Sequence, residues 1–542
     1  MIQPDFSFFY KGRSSSAYSS ANVRAAAGYR PGQPRTAPLH KAVSAAAPRL
    51  LHPAALRLQI AVGQGVCNTS NKLQRPLWLN GLLVLLLYVF CTLHAQAQNT
   101  DDQYREPLIS VLNRVQTQYG VKIKYDTALV KDRWVLYAQW RFRPNVDSTL
   151  NNILLPLDLK VNKEKDKVYK LKAYEYYRRT PPEGVAEINR VSALYHNKDE
   201  WEKRKAELKP CILAALQLSP LPSPGKSKPI VTPKRVYDGY TVENVALEVL
   251  PGVYVSGSLY KPAKIKGKIP VILNPDGHWQ KQRYRPDCQI RCAALARMGA
   301  MAFSYDLFAW GESLLQFPEA EHRRPLAMTV QVLSGIRILD YLLAIKEADT
   351  TRVGVTGGSG GGTHTVLLAA LDSRIQLSVP VVSMSSYFFG GCPCESGMPV
   401  HFCGGGTNNV EIGAMAAPKP QLVISDGGDW TDHMPETDFP YLQKMYSYYG
   451  ATANIENVHL PNDKHDYGLS KREPMYSFIA KHFNLNLKAI TGADGKIDES
   501  KCVVEEESLL YTFGKNGELL PANAIKGYDA LEKLFSQLTR NQ

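Results

Sequence analysis

Ser359 stands in the run Gly357-Gly358-Ser359-Gly360-Gly361, which satisfies G-x-S-x-G between a strand pattern (RVGVT) and a helix pattern (THTVLLAAL). Small neighbours permit the sharp strand-to-helix turn that lifts a serine hydroxyl clear of a sheet, and the helix N-terminus adds a field that favours developing negative charge. A glycine-rich turn with an incidental serine is the alternative, and the flanking strand and helix argue against it. Serine is a weak nucleophile at its own pKa, so a base and an orienting acid must follow, the acid before the histidine in this kind of chain. After the apolar run QLVIS comes DGGDWT, with Asp426 and Asp429; after NIENVHL comes PNDKHDY, with His465. Asp429 is preferred to Asp426 because a residue just past Gly427-Gly428 has the reach toward a loop histidine, whereas Asp426 is nearer the strand end. His459, inside a strand, and His364, in the first turn of the helix behind the serine, read as structural. An oxyanion hole needs two backbone N–H donors. Gly360 supplies one, and His278 or Trp279, in the loop after PVILN, supplies the other through its backbone rather than its ring.

These loops must hang on a sheet. From Tyr237 onward short apolar runs alternate with helical patterns: strands at Thr241–Leu250, Val253–Tyr260, Pro270–Leu273, Ala300–Tyr305, Arg352–Thr356, Gln376–Val382, Gln421–Ser425 and Ile455–Leu460. Helices are predicted at Gln289–Met298, Thr329–Ile345, Thr363–Leu371, Tyr441–Tyr449 and Lys471–Phe483. This alternation predicts a doubly wound, mainly parallel sheet with its chemistry at the carboxyl ends of the strands. Upstream, a helix over Pro107–Tyr119, a strand Val121–Tyr125 and a second helix and strand from Val146 to Tyr169 make a small α+β module. The consecutive prolines of RRTPPE, around Arg178–Glu183, read as a linker without helix. Next comes a helix Lys198–Leu218 interrupted by Pro210, and a last helix is expected at Tyr528–Leu538.

The chain has 542 residues, 44% apolar and 21% charged, which excludes a fibrous or wholly disordered protein. Its net charge of +14 is unevenly spread: residues 1–97 hold ten Lys or Arg against one acid, Asp5. The rest, without a basic block, is a mildly basic solvated surface, and nucleic acid is not an expected partner. Leu79–Leu93 is apolar and uncharged, follows Lys72 and Arg75, and precedes Ala95-Gln96-Ala97, the pattern of a secretory leader cleaved after Ala97. At fifteen residues it is short of the roughly 20 that a spanning helix needs. Export permits disulfides among the seven cysteines that follow: Cys211, Cys288, Cys292, Cys392, Cys394, Cys403 and Cys502. Cys392, Cys394 and Cys403, with His401 as a fourth ligand, match no common zinc spacing. Disulfides or buried thiols are expected there, and no metal.

Together, GGSGGGTHTVLLAALDSRI, the Cys- and Gly-rich loop, Thr407-Asn408-Asn409 with Glu411, Ala417-Pro418-Lys419-Pro420, Gly428-Asp429-Trp430-Thr431 and His465-Asp466-Tyr467-Gly468 resemble bacterial α/β-hydrolases of the acetyl xylan esterase-like group, over about residues 195–520. Gly360 stands where secreted relatives of that group often carry Gln or Asn. The resemblance implies a serine carbohydrate esterase that needs no cofactor: Ser359 attacks an acyl ester, acetyl above all, of an acylated carbohydrate such as xylan, His465 moves the proton and Asp429 holds the imidazole. The module at 98–175 resembles the secretin and TonB short N-terminal domain, which implies contact with an envelope protein and a periplasmic, extracellular or outer-membrane-associated location. The expected organisation is 1–75 an over-long start or disordered extension, 76–97 leader, 98–175 small α+β module, 176–236 linker and helical lead-in, 237–490 α/β-hydrolase domain and 491–542 an extension packed on it. Two other readings share the motifs: a serine peptidase of the prolyl oligopeptidase kind, disfavoured because too little chain precedes the first hydrolase strand for a propeller, and an inert hydrolase fold serving as an envelope binding protein, disfavoured because Ser, Asp and His all occur in order.

Overall fold

A computed structural model describes residues 104–157, 159–173, 179–396 and 398–540. The leader, the extension before it and Cys67 and Cys91 lie outside the described residues.

The small upstream module builds its own core. Helix α1 (Leu108–Tyr119) buries Leu108, Val111, Leu112 and Val115, the i, i+3, i+4, i+7 stripe of an amphipathic helix, and closes on Gly120 at a left-handed φ of 60°. It packs beside β1 (Lys122–Lys124) and α2 (Val146–Leu154), whose Leu150, Ile153 and Leu154 join the same core. The antiparallel pair β2 (Leu159–Lys165) and β3 (Val168–Ala173) completes a three-stranded sheet in which β1 runs parallel to β3.

Two helices lead into the large sheet, and both correct the sequence reading. Pro181 and Pro182 begin helix α3 (Pro181–Ser192) instead of forbidding it. Proline is tolerated in the first helical turn, where its missing N–H would have had no partner, and Thr180 and Glu183 form a reciprocal capping box around it. In α4 (Lys198–Ala215) the helix runs through Pro210 without interruption, held by Trp201, Leu208 and Ile212 in the core. Cys211 on α4 is disulfide-bonded to Cys403.

Among the described residues the central sheet has ten strands. Two long antiparallel strands, β4 (Tyr240–Leu250) and β5 (Val253–Pro262), precede β6 (Ile269–Pro275), α5 (Pro286–Met298), β7 (Met301–Tyr305), α6 (Leu326–Ala344) and β8 (Ala348–Gly358). Then follow α7 (Gly360–Leu371), β9 (Leu377–Val381), α8 (Asn409–Ala414), β10 (Gln421–Asp426), α9 (Phe439–Ser447), β11 (Ile455–Leu460) and α10 (Leu469–Phe483). Across the sheet the order is β11-β10-β9-β8-β6-β7-β5-β4, with two short edge pieces, Ile230–Val231 and Arg235–Tyr237, antiparallel to β4. The pairs from β11 through to β7 are parallel, and β5 is antiparallel to both β7 and β4. The strand order reverses between β8 and β6, and in open α/β sheets the site lies at the carboxyl ends of the strands at such a switch point.

The inner strands are buried on both faces, which is why β6 and β10 read as nearly unbroken apolar runs. Val271 and Leu273 of β6 point to one cluster with Leu333 and Leu339 of α6 and Leu367 of α7. Ile272 points the other way, with Leu295 of α5 and Met475 and Ile479 of α10. Each such side chain contributes about 1.5–3 kcal/mol by leaving water. Helix α6 is long and apolar enough to cross a membrane, but it is a core helix, with Leu326–Leu342 buried at most positions. The last helix, α11 (Tyr528–Arg540), seats Tyr528, Leu531 and Phe535 in the same cluster as α6.

Candidate active site

Ser359 occupies the turn between β8 and α7 with φ 54° and ψ −124°, a left-handed strain that non-glycine residues rarely accept. The turn is possible only because its neighbours lack side chains. A Cβ on Gly361 would lie 2.2 Å from the Pro275 carbonyl oxygen, and one on Gly357 would lie 2.5 Å from that of Gly361. The loop leaving β6 therefore runs directly against the serine turn, backbone to backbone.

Asp429 and His465 meet the serine from the loops that follow β10 and β11. His465 Nε2 lies 3.0 Å from Ser359 Oγ, and His465 Nδ1 lies 2.6 Å from Asp429 Oδ2. With Asp429 accepting the Nδ1 proton, Nε2 is left with its lone pair toward the serine hydroxyl. Asp429 is itself held: its Oδ1 accepts from the backbone N–H and the hydroxyl of Thr431, both at 2.6 Å. Its side chain is fully buried, while that of His465 keeps 25% exposure, as a base that must meet a substrate requires.

Asp426 does something else. Its carboxylate faces Lys471 Nζ at 3.2 Å and accepts from Gly428 N–H at 3.0 Å, so it shapes the turn that carries Asp429. Burial, and then the charge of Asp429, push its carboxyl above the usual range. His459 bonds Ser425 on the neighbouring strand, and His364 is buried against Gln331, so neither reaches the serine.

The three residues assigned to the oxyanion hole are adjacent to Ser359. Gly360 opens α7, where the first N–H groups have no partner inside the helix. A Cβ on Gly277 would strike the Gly358 carbonyl oxygen at 2.6 Å, which brings the His278 and Trp279 backbone beside the turn. The ring of Trp279 lies 5.6 Å from that of His465, and Trp430 covers His465 at 4.6 Å. Trp430 donates to the Ser383 carbonyl and packs against Phe388, so these aromatics wall one side of the base. The ring of His278, half-buried, points toward His322, Cys392 and Cys394. Burial pushes this imidazole down to about 4 and that of His322 to about the same value, so both are neutral near pH 7. This gathering was missed in the sequence because its members stand 44 and 70 residues apart. His401, the ligand considered there, stacks on Phe389 instead.

The geometry is that of a hydroxyl able to pass its proton to an imidazole that a buried carboxylate holds in one tautomer, next to helix N–H groups. The solved structure of Methylesterase BT1017 matches with a TM-score of 0.67 at 46% identity, over 82% of this chain and 100% of that one. The chain belongs to the family of that methylesterase. The α/β-hydrolase fold expected from the sequence is thereby established. Also similar are a glucuronoyl esterase from Solibacter usitatus (17% identity, 52% of this chain and 93% of that one, TM-score 0.39) and an acetyl xylan esterase from Paenibacillus sp. R4 (17%, 54% and 98%, TM-score 0.35). No protein-family profile matches the chain, and no curated protein sequence matches it.

Proposed function

We propose that this chain is an exported serine esterase that cleaves methyl esters of carbohydrate carboxylates through Ser359, His465 and Asp429. The observation that carries the mechanism is the unbroken hydrogen-bond chain from Ser359 Oγ through His465 to Asp429 at 3.0 and 2.6 Å. The methyl ester is supported by the name of the methylesterase relative, and the carbohydrate by the sequence resemblance to acetyl xylan esterase-like enzymes. A methyl ester on a carbohydrate requires a sugar carboxylate, so a uronic acid is the substrate class.

In the first half-reaction His465 Nε2 takes the proton of Ser359 as its oxygen attacks the carbonyl carbon. The N–H of Gly360 and one N–H of the His278-Trp279 segment bear the oxyanion. The protonated imidazole, held by Asp429, then gives its proton to the departing methanol. Water enters against the uronoyl-Ser359 ester by the same route and releases the carboxylate. The resemblance read from the sequence favours a second substrate, acetyl esters, for which the same steps leave an acetyl-Ser359 intermediate.

Methanol and acetate release separate the two. Purified chain is assayed on methyl-esterified polygalacturonate and on acetylated xylan, beside Ser359→Ala. Ser359-dependent methanol release with little acetate supports the proposal. Acetate release alone overturns the methyl-ester reading, and turnover unaffected by Ser359→Ala overturns the mechanism. Export rests on the leader pattern ending at Ala97, and envelope contact on the module at 98–175.

A further inference from the structure

Beside the serine turn, donor atoms from three separate loops converge on one point. His278 follows β6, His322 lies in the short helical segment Glu319–Arg323, and Cys392 and Cys394 lie in the segment after β9. One ligand atom from each lies within 4.8 Å of all the others. His278 Nε2 is 2.6 Å from His322 Nε2 and 3.0 Å from Cys394 Sγ, and Cys392 Sγ is 3.5 Å from both ring nitrogens. Around a tetrahedral zinc with nitrogen and sulfur ligands, donor atoms stand about 3.3–3.8 Å apart, so small side-chain rotations suffice. His322, Cys392 and Cys394 are buried, as is Glu395 beside them.

The outer contacts orient the donors. His322 Nδ1 donates to the Phe308 carbonyl, which leaves Nε2 with its lone pair directed into the cluster. His278 Nδ1 faces Glu395 Oε2 at 3.7 Å, and that carboxylate oxygen is fixed by the Gly391 N–H at 2.8 Å. A ligating imidazole whose other nitrogen addresses a carbonyl or a carboxylate is the usual outer arrangement of a metal site. Two nitrogens and two sulfurs form a donor set suited to zinc and poorly suited to magnesium or calcium.

We propose that the dithiol form of Cys392 and Cys394, together with Nε2 of His278 and of His322, binds one structural zinc ion that ties the loop behind the serine turn to the segment after β9. In the structure the two sulfurs are joined as a disulfide. Opening it takes two electrons and two protons, supplied by a small dithiol that is itself oxidised to a disulfide. Zinc binding then displaces both thiol protons and leaves two thiolates. Four protein ligands fill the tetrahedral shell, so the ion holds loops and has no open position for substrate. It would hold the very loop whose backbone lies against Gly358 and whose His278 ring stands 2.6 Å from where a Gly360 Cβ would be.

The test reads metal content without substrate, so its failure leaves the esterase reading intact, and Ser359→Ala binds zinc as the wild type does. The full chain is reduced with dithiothreitol without air, exchanged into buffered zinc, desalted and measured by elemental mass spectrometry, with folding followed by circular dichroism. About one zinc per chain is expected, falling below about a tenth in C392S/C394S and in His322→Ala and staying near one in C288S/C292S. Cobalt(II) in place of zinc gives a readout that needs no variant: a four-coordinate visible spectrum with thiolate charge-transfer bands is expected, lost on reoxidation. Folded, reduced protein that takes up no zinc, zinc uptake undiminished in C392S/C394S, or a six-coordinate cobalt spectrum without thiolate bands would each overturn the proposal.

Discussion

Asp429 places Oδ2 at 2.6 Å from His465 Nδ1, while Asp426, three residues earlier in the same turn, faces Lys471. The two carboxylates are therefore separable by mutation. Asp429→Asn removes the acceptor that fixes the imidazole tautomer and is expected to lower kcat by roughly 10³–10⁴ with the melting temperature little changed. Asp426→Asn is expected to cost less than about tenfold in kcat and to appear chiefly as lost stability, because it leaves the buried Lys471 short of a partner. Steady-state kinetics beside thermal melts of both variants decide it, and equal kinetic losses would contradict the assignment.

Gly361 is the position where the serine turn and the β6 loop touch, since a Cβ there would meet the Pro275 oxygen at 2.2 Å and the Asp276 oxygen at 2.8 Å. Gly361→Ala must push those backbones apart. Activity is expected to fall by at least about 10², the cost of displacing donors by about 1 Å. Thr365→Ser, one helical turn further on, is the control expected to stay near wild type.

Asp438 is buried with one oxygen 3.2 Å from the Ser386 N–H. Burial raises its carboxyl to about 7. The folded state thus holds a proton that the unfolded chain releases near pH 4, so this group's stabilisation is full below about pH 4 and is lost as pH rises to about 7. Asp438→Asn, which cannot ionise, is expected to match the wild type near pH 4 and to exceed it above pH 7 by at most about 4 kcal/mol. Denaturant unfolding at several pH values measures the gap, and a gap that does not change with pH contradicts the argument.

Cys211 and Cys403 close a loop of 192 residues between α4 and the segment after β9. C211S/C403S is expected to lose a few kcal/mol of stability, about 3–5 by chain entropy, with the serine, histidine and aspartate untouched. The melting temperature should fall while kcat at 25 °C stays within a few fold.

Much of the sheet was legible because its signals are local. Strands such as PVILN and QLVIS are buried on both faces and read as apolar runs, and a serine between a strand and a helix points to one turn. Chain order pointed to the loops that carry Asp429 and His465, and reach past Gly427-Gly428 favoured Asp429 over Asp426. What the sequence hid was either context or distance. Pro181-Pro182 breaks a helix interior but begins one when Thr180 and Glu183 cap it. Pro210 was expected to interrupt α4, yet core contacts carry the helix past it. The two-residue edge strand at Ile230–Val231 is too short to carry a period. The ring of His278 finds His322, Cys392 and Cys394 only after β6, β7 and β9 are assembled into one sheet.

The proposed mechanism makes Ser359 the nucleophile. The chain is treated with a fluorophosphonate, which phosphonylates only a serine activated by a neighbouring base, and the adduct is mapped by peptide mass spectrometry. One adduct per chain is expected, on Ser359, with loss of ester hydrolysis in step with labelling, and His465→Ala, itself inactive, is expected to take no label. An active chain that takes no label, or takes it on another residue while Ser359 stays free, would contradict it.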